Sequence, residues 1–273
     1  MSSIFEKFSL KGKTSLVTGG GGLLGREFVR TLAEAGSTVY LADISSELVE
    51  RTLRGLQGLP GEVRPMLVDV TSADSVEGAV ARMVAESDGL DVLVNSAALD
   101  PKFDPGNAVK QTNAFEEYPL QLWQDGLKVN LTGAFLMTQA ACRQMVKQGT
   151  GSIINICSTY GLVGPDQRIY ENLGTERMYK PVFYSVTKAG ILGFTRYLAA
   201  YYAGSGIRVN ALTPGGVENQ HDEQFVKNYS SRSILGRMAN KDEMNGALLF
   251  LASEASSYMT GGNLVVDGGW TAW

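Results

Sequence analysis

The sequence predicts a doubly wound α/β fold, in which about seven parallel strands form one sheet with helices on both faces. Three observations predict it. Short apolar runs alternate with longer segments of helical period along the chain. The runs are apolar throughout, as strands buried on both faces are. A cluster of glycines falls between the first run and the first helical segment, at Gly19 to Gly22 and Gly25. No repeat, low-complexity stretch or linker interrupts the pattern, so residues 1–273 read as a single domain.

Residues 14–17 form the first strand and lead into the glycines. Residues 24–35 have helical period and stop at Gly36. Residues 38–42 are the second strand, and Ser45 or Ser46 can cap a helix running to about Gln57. A strand at 63–68, a helix at 72–86 and a strand at 90–94 follow. Residues 120–147 read as one long helix and 152–157 as the fifth strand. A helix at 182–202, a strand at 207–212, a helix at 242–252 and a last strand at 263–266 complete the order. Three segments lack the rhythm: 97–119, 160–181 and 214–237. Each follows the C-terminal end of a strand, where open α/β sheets bind ligands, and loops this long are usually functional or mobile.

Composition excludes several classes. The 32 glycines are about 12% of the chain, against a usual ~7%, with no collagen period. The excess points to tight turns and close backbone approaches. A single histidine, His221, excludes a His-rich metal site and weighs against a Ser-His-Asp triad; it reads as a surface residue in the third loop. Two cysteines, Cys142 and Cys157, cannot build a disulfide framework and read as buried, reduced thiols. A net charge of −4 argues against nucleic-acid or anionic-membrane binding. No apolar run approaches the ~18 residues of a membrane span, and the opening residues lack the apolar core of a signal peptide. A soluble cytoplasmic protein without a metal is the expectation.

The glycine cluster suits a dinucleotide site of the Rossmann type. Glycine permits a tight turn and close approach of the backbone to a pyrophosphate at a helix N-terminus. Asp43 ends the second strand 18 residues after Gly25, close to the ~20-residue offset of a ribose-binding acid. Its carboxylate would repel a 2′-phosphate, and Ile44 follows it with no adjacent Arg, which favours NAD over NADP. The alternative for Asp43 is a helix N-cap, a role Ser45 can equally fill.

Tyr184 and Lys188 stand four apart at the start of a helix and share one face. Free tyrosine, with a pKa of ~10, is a poor base at neutral pH, and a neighbouring ammonium lowers that value. Ser158 ends the fifth strand and Asn130 lies in the helix before it.

With the glycine turn, these residues resemble the short-chain dehydrogenase/reductase family along essentially the whole chain. The matching residues are Thr18-Gly19…Gly25, Asp69 in Val68-Asp69-Val70, Asn95-Ser96-Ala97-Ala98 and Asn130. Ser158, Tyr184, Lys188, Arg208-Val209-Asn210-Ala211, Pro214-Gly215 and Val266-Asp267-Gly268-Gly269 follow. The resemblance implies an NAD(P)-dependent oxidoreductase that moves a hydride between nicotinamide and an alcohol or ketone. In it Tyr184 exchanges a proton with the substrate oxygen and Ser158 hydrogen-bonds that oxygen. Lys188 lowers the Tyr184 pKa and holds the nicotinamide ribose, and Asn130 positions a water that relays protons. With Tyr184 and Lys188 themselves, Gly19, Gly22, Leu24, Asp43, Asp69, Val70, Asn95, Ala97, Pro214, Gly215 and Val217 are the cofactor-binding expectations.

The chain departs from the family pattern in four places. Leu23 stands where a glycine is usual. The fourth-strand motif is Asn-Ser-Ala-Ala. Asn219 replaces a Thr that often contacts the carboxamide. Ser158 and Tyr184 are 26 residues apart, about twice the common spacing, and the surplus lies within 165–181. That loop is polar, so Asp166, Gln167, Arg168 and Tyr170 suit a hydroxylated or anionic substrate, with Arg168 as the anion binder. Lys102 and Arg232 are further candidates. The loop and the C-terminal residues also resemble a subgroup labelled flagellin modification protein A, associated with bacterial surface-sugar biosynthesis, which implies a sugar-like substrate. The resemblance implies a tetramer formed through the two long helices and the C-terminal strand; Phe135, Leu136, Met137, Phe194, Tyr197, Tyr201 and Tyr202, with Trp270 and Trp273, fit that, so a homotetramer, or alternatively a dimer, is the expectation. The competing functions are a catalytically silent nucleotide-binding regulator and a dehydratase or isomerase on the same scaffold.

Overall fold

The computed structural model describes residues 3–87, 89–100, 113–171 and 178–273. Its strands are β1 (Thr14–Thr18), β2 (Thr38–Asp43), β3 (Val63–Leu67), β4 (Val92–Asn95), β5 (Gly151–Ile156), β6 (Ile207–Pro214) and β7 (Asn263–Val266). They form one seven-stranded sheet in the order β3-β2-β1-β4-β5-β6-β7, with every pair parallel. Strand order reverses between β1 and β4, which opens a crevice at their C-terminal ends. Register brings those ends level: Thr18 pairs with Ala42 and Asn95, and Asn95 with Asn155.

Successive residues of one strand feed two cores. Leu16, Leu93 and Ile153 face Val76, Val80 and Met83 of α3 (Ala73–Ser87) and Met137, Ala141 and Met145 of α5 (Ala134–Gln148). Val17, Val94 and Ile154 face Phe28, Val29 and Leu32 of α1 (Leu23–Glu34) on the other side. This double burial is why the strands read as unbroken apolar runs. On β4 the regular pairing starts at Val92, not at 90. The Gln148 side-chain amide takes both the N–H and the C=O of Leu90 instead.

The long helix expected over 120–147 is not uniform. It runs as α4 (Leu120–Leu127), a π-helical turn (Lys128–Gly133) and α5. Two glycines bracket the wide turn. A Cβ on Gly126 would sit 2.2 Å from the Phe183 ring, and one on Gly133 would sit 2.8 Å from Val70. Asn130 is buried inside the turn. A second helix of the sheet's later half, α6 (Val182–Tyr201), starts directly after Pro181. Within 214–237, expected as loop, a short helix α7 (Glu223–Ser230) forms. The Asp222 carboxylate caps it by accepting from the N–H groups of Gln224 and Phe225. Eight residues with little apolar content left no periodic signal. The final helix, α8 (Asn245–Ala252), begins three residues later than expected, after a turn.

Candidate active site

A cleft of about 850 Å³ runs along the C-terminal ends of the strands. Its first half is built mainly from backbone. Gly19 has φ +63°, and a Cβ there would meet Ala97 Cα at 2.8 Å. A Cβ on Gly25 would come within 2.0 Å of the Gly19 carbonyl oxygen, so turn and helix touch directly. Gly22 is the N-cap of α1, which has no side-chain cap and no acidic residue in its first turn. The N-terminus of α1, with its positive dipole end, therefore faces the cleft at Gly22, Leu23 and Leu24. Leu23 opens the helix because Gly22, one residue earlier, does the capping.

Of the two candidates for the helix cap left open above, Ser45 fills it. The Ser45 hydroxyl caps α2 (Ser46–Arg54), accepting from Leu48 N–H at 3.3 Å. Asp43 is buried and its carboxylate accepts from Gly21 N–H at 3.0 Å, tying β2 to the glycine turn. Asp69, Val70 and Ala97 line the same half, and Pro214, Gly215 and Val217 line the far wall. The Asp69 carboxylate accepts from the hydroxyl and N–H of Thr71, which hold it below the usual carboxylate range. Asn95 sits one step behind the wall. It donates to Thr138 Oγ1 and Asn155 Oδ1, each at 2.8 Å, and so fixes β4 to its neighbours. A crowded glycine turn, an uncapped helix N-terminus and a carboxylate at the end of β2 together fit a dinucleotide.

Ser158, Tyr184 and Lys188 meet in the middle of this cleft. The 26-residue gap does not separate them. Its turn at Gln167–Tyr170 folds back, burying Ile169 and Tyr170. The Ser158 hydroxyl acts on the Tyr184 phenol, favouring its ionised form. Lys188 Nζ donates to the Ile156 carbonyl at 2.9 Å and lies 5.7 Å from the Tyr184 ring centroid. Asn130 stands behind them. Its Oδ1 accepts from Leu99 N–H at 2.6 Å, and its Nδ2 donates to the Leu99 carbonyl and to Thr187 Oγ1. Asn130 thus joins the exit of β4 to the helix that carries Tyr184.

The electrostatics differ from the expectation drawn from Lys188 alone. Burial pushes the Tyr184 hydroxyl well above the ordinary phenol value, the Asp100 charge adds to this, and the Ser158 hydrogen bond opposes it. Burial also pushes Lys188 down. Both groups lose hydration, and that loss outweighs an ammonium already committed to a carbonyl.

The other half of the cleft is walled by side chains. Tyr160, Tyr170, Tyr184, Tyr229, Met238 and Trp270 form one buried cluster, with Phe225 packed against it. Tyr229 stacks on Trp270 at 4.2 Å between centroids and accepts from Gly216 N–H at 2.5 Å. Trp270 is buried, but the Trp273 side of the same pair is not: it is 77% exposed. Tyr170 lines the cleft as expected, and its hydroxyl lies 3.4 Å from that of Tyr160. Arg168 does not. Its side chain is 67% exposed, and its Nε and Nη2 donate to the two carboxylate oxygens of Asp166, each at 2.8 Å. Arg232 pairs with the same carboxylate. A local carboxylate two residues away has claimed the expected anion binder. Gln167 acts through its side-chain oxygen, which accepts from Lys180 N–H. Lys102 lies outside the described residues.

Three cleft residues escaped the sequence reading. His221 is half-buried and not merely a surface residue: it lines the cleft, stacks on Phe225 at 5.0 Å and accepts from Asn219 N–H at Nδ1. Lys180 and Asp100 form an ion pair inside the cleft, with Lys180 Nζ 4.2 Å from the centroid of the Tyr184 ring. One signal was available for Lys180. It precedes Tyr184 by four residues, as Lys188 follows it by four.

Among the described residues no helix is long and apolar enough to cross a membrane. No group of three or more His, Cys, Asp or Glu among them could hold a metal ion.

Known proteins match both the sequence and this backbone. Residues 22–271 fit the family model described as Enoyl-(Acyl carrier protein) reductase. The chain is 35% identical over 264 residues to a 3-oxoacyl-(acyl-carrier-protein) reductase of Thermotoga maritima, covering 95% of this chain and 98% of that one. A short-chain type dehydrogenase/reductase from Mycobacterium marinum superposes with a TM-score of 0.86 at 32% identity over 100% of both chains. A gluconate 5-dehydrogenase from Burkholderia cenocepacia, solved in complex with NADP and tartrate, superposes with a TM-score of 0.84 at 29% identity over 99% of this chain and 100% of that one. Matched in sequence and in backbone over nearly its whole length, the chain belongs to the short-chain dehydrogenase/reductase family.

Proposed function

We propose that this NAD(P)-dependent oxidoreductase interconverts a secondary alcohol and its ketone on a polar, polyhydroxylated small molecule, with NAD as the preferred cofactor. The observation that carries the reading is the meeting of Ser158, Tyr184 and Lys188 beside the glycine turn in one cleft. When bound, the nicotinamide supplies or takes up the hydride at the substrate carbon. The chain's own residues manage the oxygen. Ser158 holds it by a hydrogen bond. Tyr184 gives it a proton on reduction and receives one on oxidation. Lys188 orients the nicotinamide ribose and passes protons onward, and Asn130 orders that path. Gly19, Gly22 and Leu24 would cradle the pyrophosphate, Asp43 the adenosine ribose, and Asp69 and Val70 the adenine. Ala97, Pro214, Gly215 and Val217 would bound the rest.

The preference for NAD rests on Asp43, whose carboxylate would repel a 2′-phosphate; the Burkholderia relative, by contrast, was solved with NADP. The polar substrate rests on the hydroxyl-rich wall of Tyr160 and Tyr170, and the resemblance to sugar-modifying members points the same way. A cytoplasmic homotetramer of one-domain subunits completes the reading. Tyr197 and Tyr201 on α6 and Phe135 on α5 are exposed, as faces covered by further copies would be. The comparisons lend no support to a silent regulator or an isomerase.

The test measures nucleotide reduction against a panel of polyols, sugar acids and sugar phosphates, together with calorimetric binding of NAD+ and NADP+. Tyr184→Phe should lower turnover by about 10²- to 10⁴-fold, the usual worth of a general acid/base, with NAD+ binding retained. Turnover that survives Tyr184→Phe overturns the mechanism, and tighter binding of NADP+ than of NAD+ overturns the cofactor preference.

A further inference from the structure

We propose that Lys180 is the anion-binding residue of the substrate site, and that the substrate carries a carboxylate or phosphate close to its reacting carbinol. This rests on the oxidoreductase reading above and narrows its substrate class.

Among the described residues, Lys128, Lys180 and Lys188 are the lysines and arginines that line the cleft. Lys128 acts on Asp69, at the adenine end. Lys188 is committed to the Ile156 carbonyl. Arg168 and Arg232 are held outside by Asp166. Lys180 carries its charge nearer than Lys188 to the phenol that handles the substrate oxygen, 4.2 Å against 5.7 Å from the Tyr184 ring centroid, and it lies 5.9 Å from that of Tyr160.

Its backbone is anchored. Lys180 N–H donates to Gln167 Oε1 at 2.9 Å, Asn113 Nδ2 donates to the carbonyl of Tyr179, and Pro181 begins the turn into α6. An ammonium in such a place needs an anionic partner, and Asp100 is that partner. The pair is uneven. The Lys180 side chain is 10% exposed and that of Asp100 is 48% exposed. A half-exposed carboxylate keeps much of its hydration and loses little by swinging away, whereas a buried ammonium cannot follow it into water. An entering carboxylate or phosphate can therefore replace Asp100 on Nζ, one anion exchanged for another. The aromatic faces of Tyr160 and Tyr184 strengthen the ammonium's hold by cation–π attraction and exclude competing water. A neutral polyol has nothing to offer in that exchange.

The experiment titrates D-tartrate, inorganic phosphate and neutral threitol into NAD+-saturated protein by calorimetry. Wild type is compared with Lys180→Met, Lys180→Arg and Asp100→Asn. At least one anion should bind wild type and weaken about 10- to 100-fold in Lys180→Met, the range of a charge-assisted hydrogen bond. Lys180→Arg should recover part of that loss, and whatever affinity threitol has should stay the same. Asp100→Asn should tighten the anion several-fold, because its competitor is gone; a merely structural pair would not produce this. Preference for tartrate or for phosphate tells carboxylate from phosphate. The proposal is overturned if neither anion binds wild type, if Lys180→Met binds them equally, if threitol weakens in parallel, or if Asp100→Asn weakens the anion. NAD+ and NADP+ affinities, recorded first, separate the two readings. Failure to bind either NAD+ or NADP+ sinks the oxidoreductase reading, and cofactor binding with a failed anion arm sinks only this one.

Discussion

The two halves of the cleft are made differently. The glycine-turn half is shaped by backbone: Gly19, Gly25 and Gly215 each sit where a single added carbon would strike another main chain. The aromatic half is shaped by side chains from three loops and the C-terminal residues, brought together by Tyr160, Tyr170, Tyr229 and Trp270. A pocket for a common ligand can be fixed by local spacing within one turn. A pocket for a particular ligand is assembled over long sequence distances, and its chemistry depends on which charges find partners first.

That contrast can be broken or sharpened by experiment. The largest effect is expected at the rigid half. Gly25→Ala should abolish measurable NAD+ binding and lower stability by about 1–3 kcal/mol, the usual cost of overpacking, because its methyl would lie 2.0 Å from the Gly19 carbonyl oxygen. Calorimetry and chemical denaturation check both parts, and near-normal affinity would show the turn to be more yielding than it looks.

An intermediate effect is expected at the junction. Burial raises the Tyr184 pKa above the ordinary ~10, so at neutral pH the hydroxyl is protonated. Alcohol oxidation needs the base form and should rise about tenfold per pH unit towards that value. Ketone reduction uses the acid form and should stay flat over the same range. Initial rates in both directions check this, and a plateau in oxidation near neutral pH would mean that Lys188 outweighs burial after all.

The smallest effect is expected at the aromatic half's outer edge. Arg168→Ala should leave substrate KM within about twofold, since the guanidinium is engaged with Asp166 in an exposed pair of the kind worth about 0–1 kcal/mol. A large KM rise would return Arg168 to the substrate site.

The same contrast explains what could be read in the sequence. The strands, their buried character and the glycine turn were legible because each is a local pattern. Ser158, Tyr184 and Lys188 were legible through family resemblance, despite the long gap between the first two. The π-helical turn around Asn130 was not, because its neighbours have ordinary helical composition and the widening depends on Phe183 and Val70 from elsewhere. Arg168 misled because its charge was visible and its capture by Asp166 was not. Lys180 was overlooked because its worth comes from Asp100, 80 residues away. His221 was placed on the surface because α7, which carries Phe225 beneath it, left no periodic trace.

The wide turn at Lys128–Gly133 also inverts the usual rule about where length may change. A π-helical turn amounts to one residue more than the α-helical path requires. Removing one residue there would let the turn close to a regular α-helix while α4 and α5 keep their facing, so the loss would fall on the widened spot that holds Asn130 against Leu99 and Thr187. The chain accommodates a surplus of a dozen or so residues between Ser158 and Tyr184, yet at this turn a single extra residue sets where Asn130 stands.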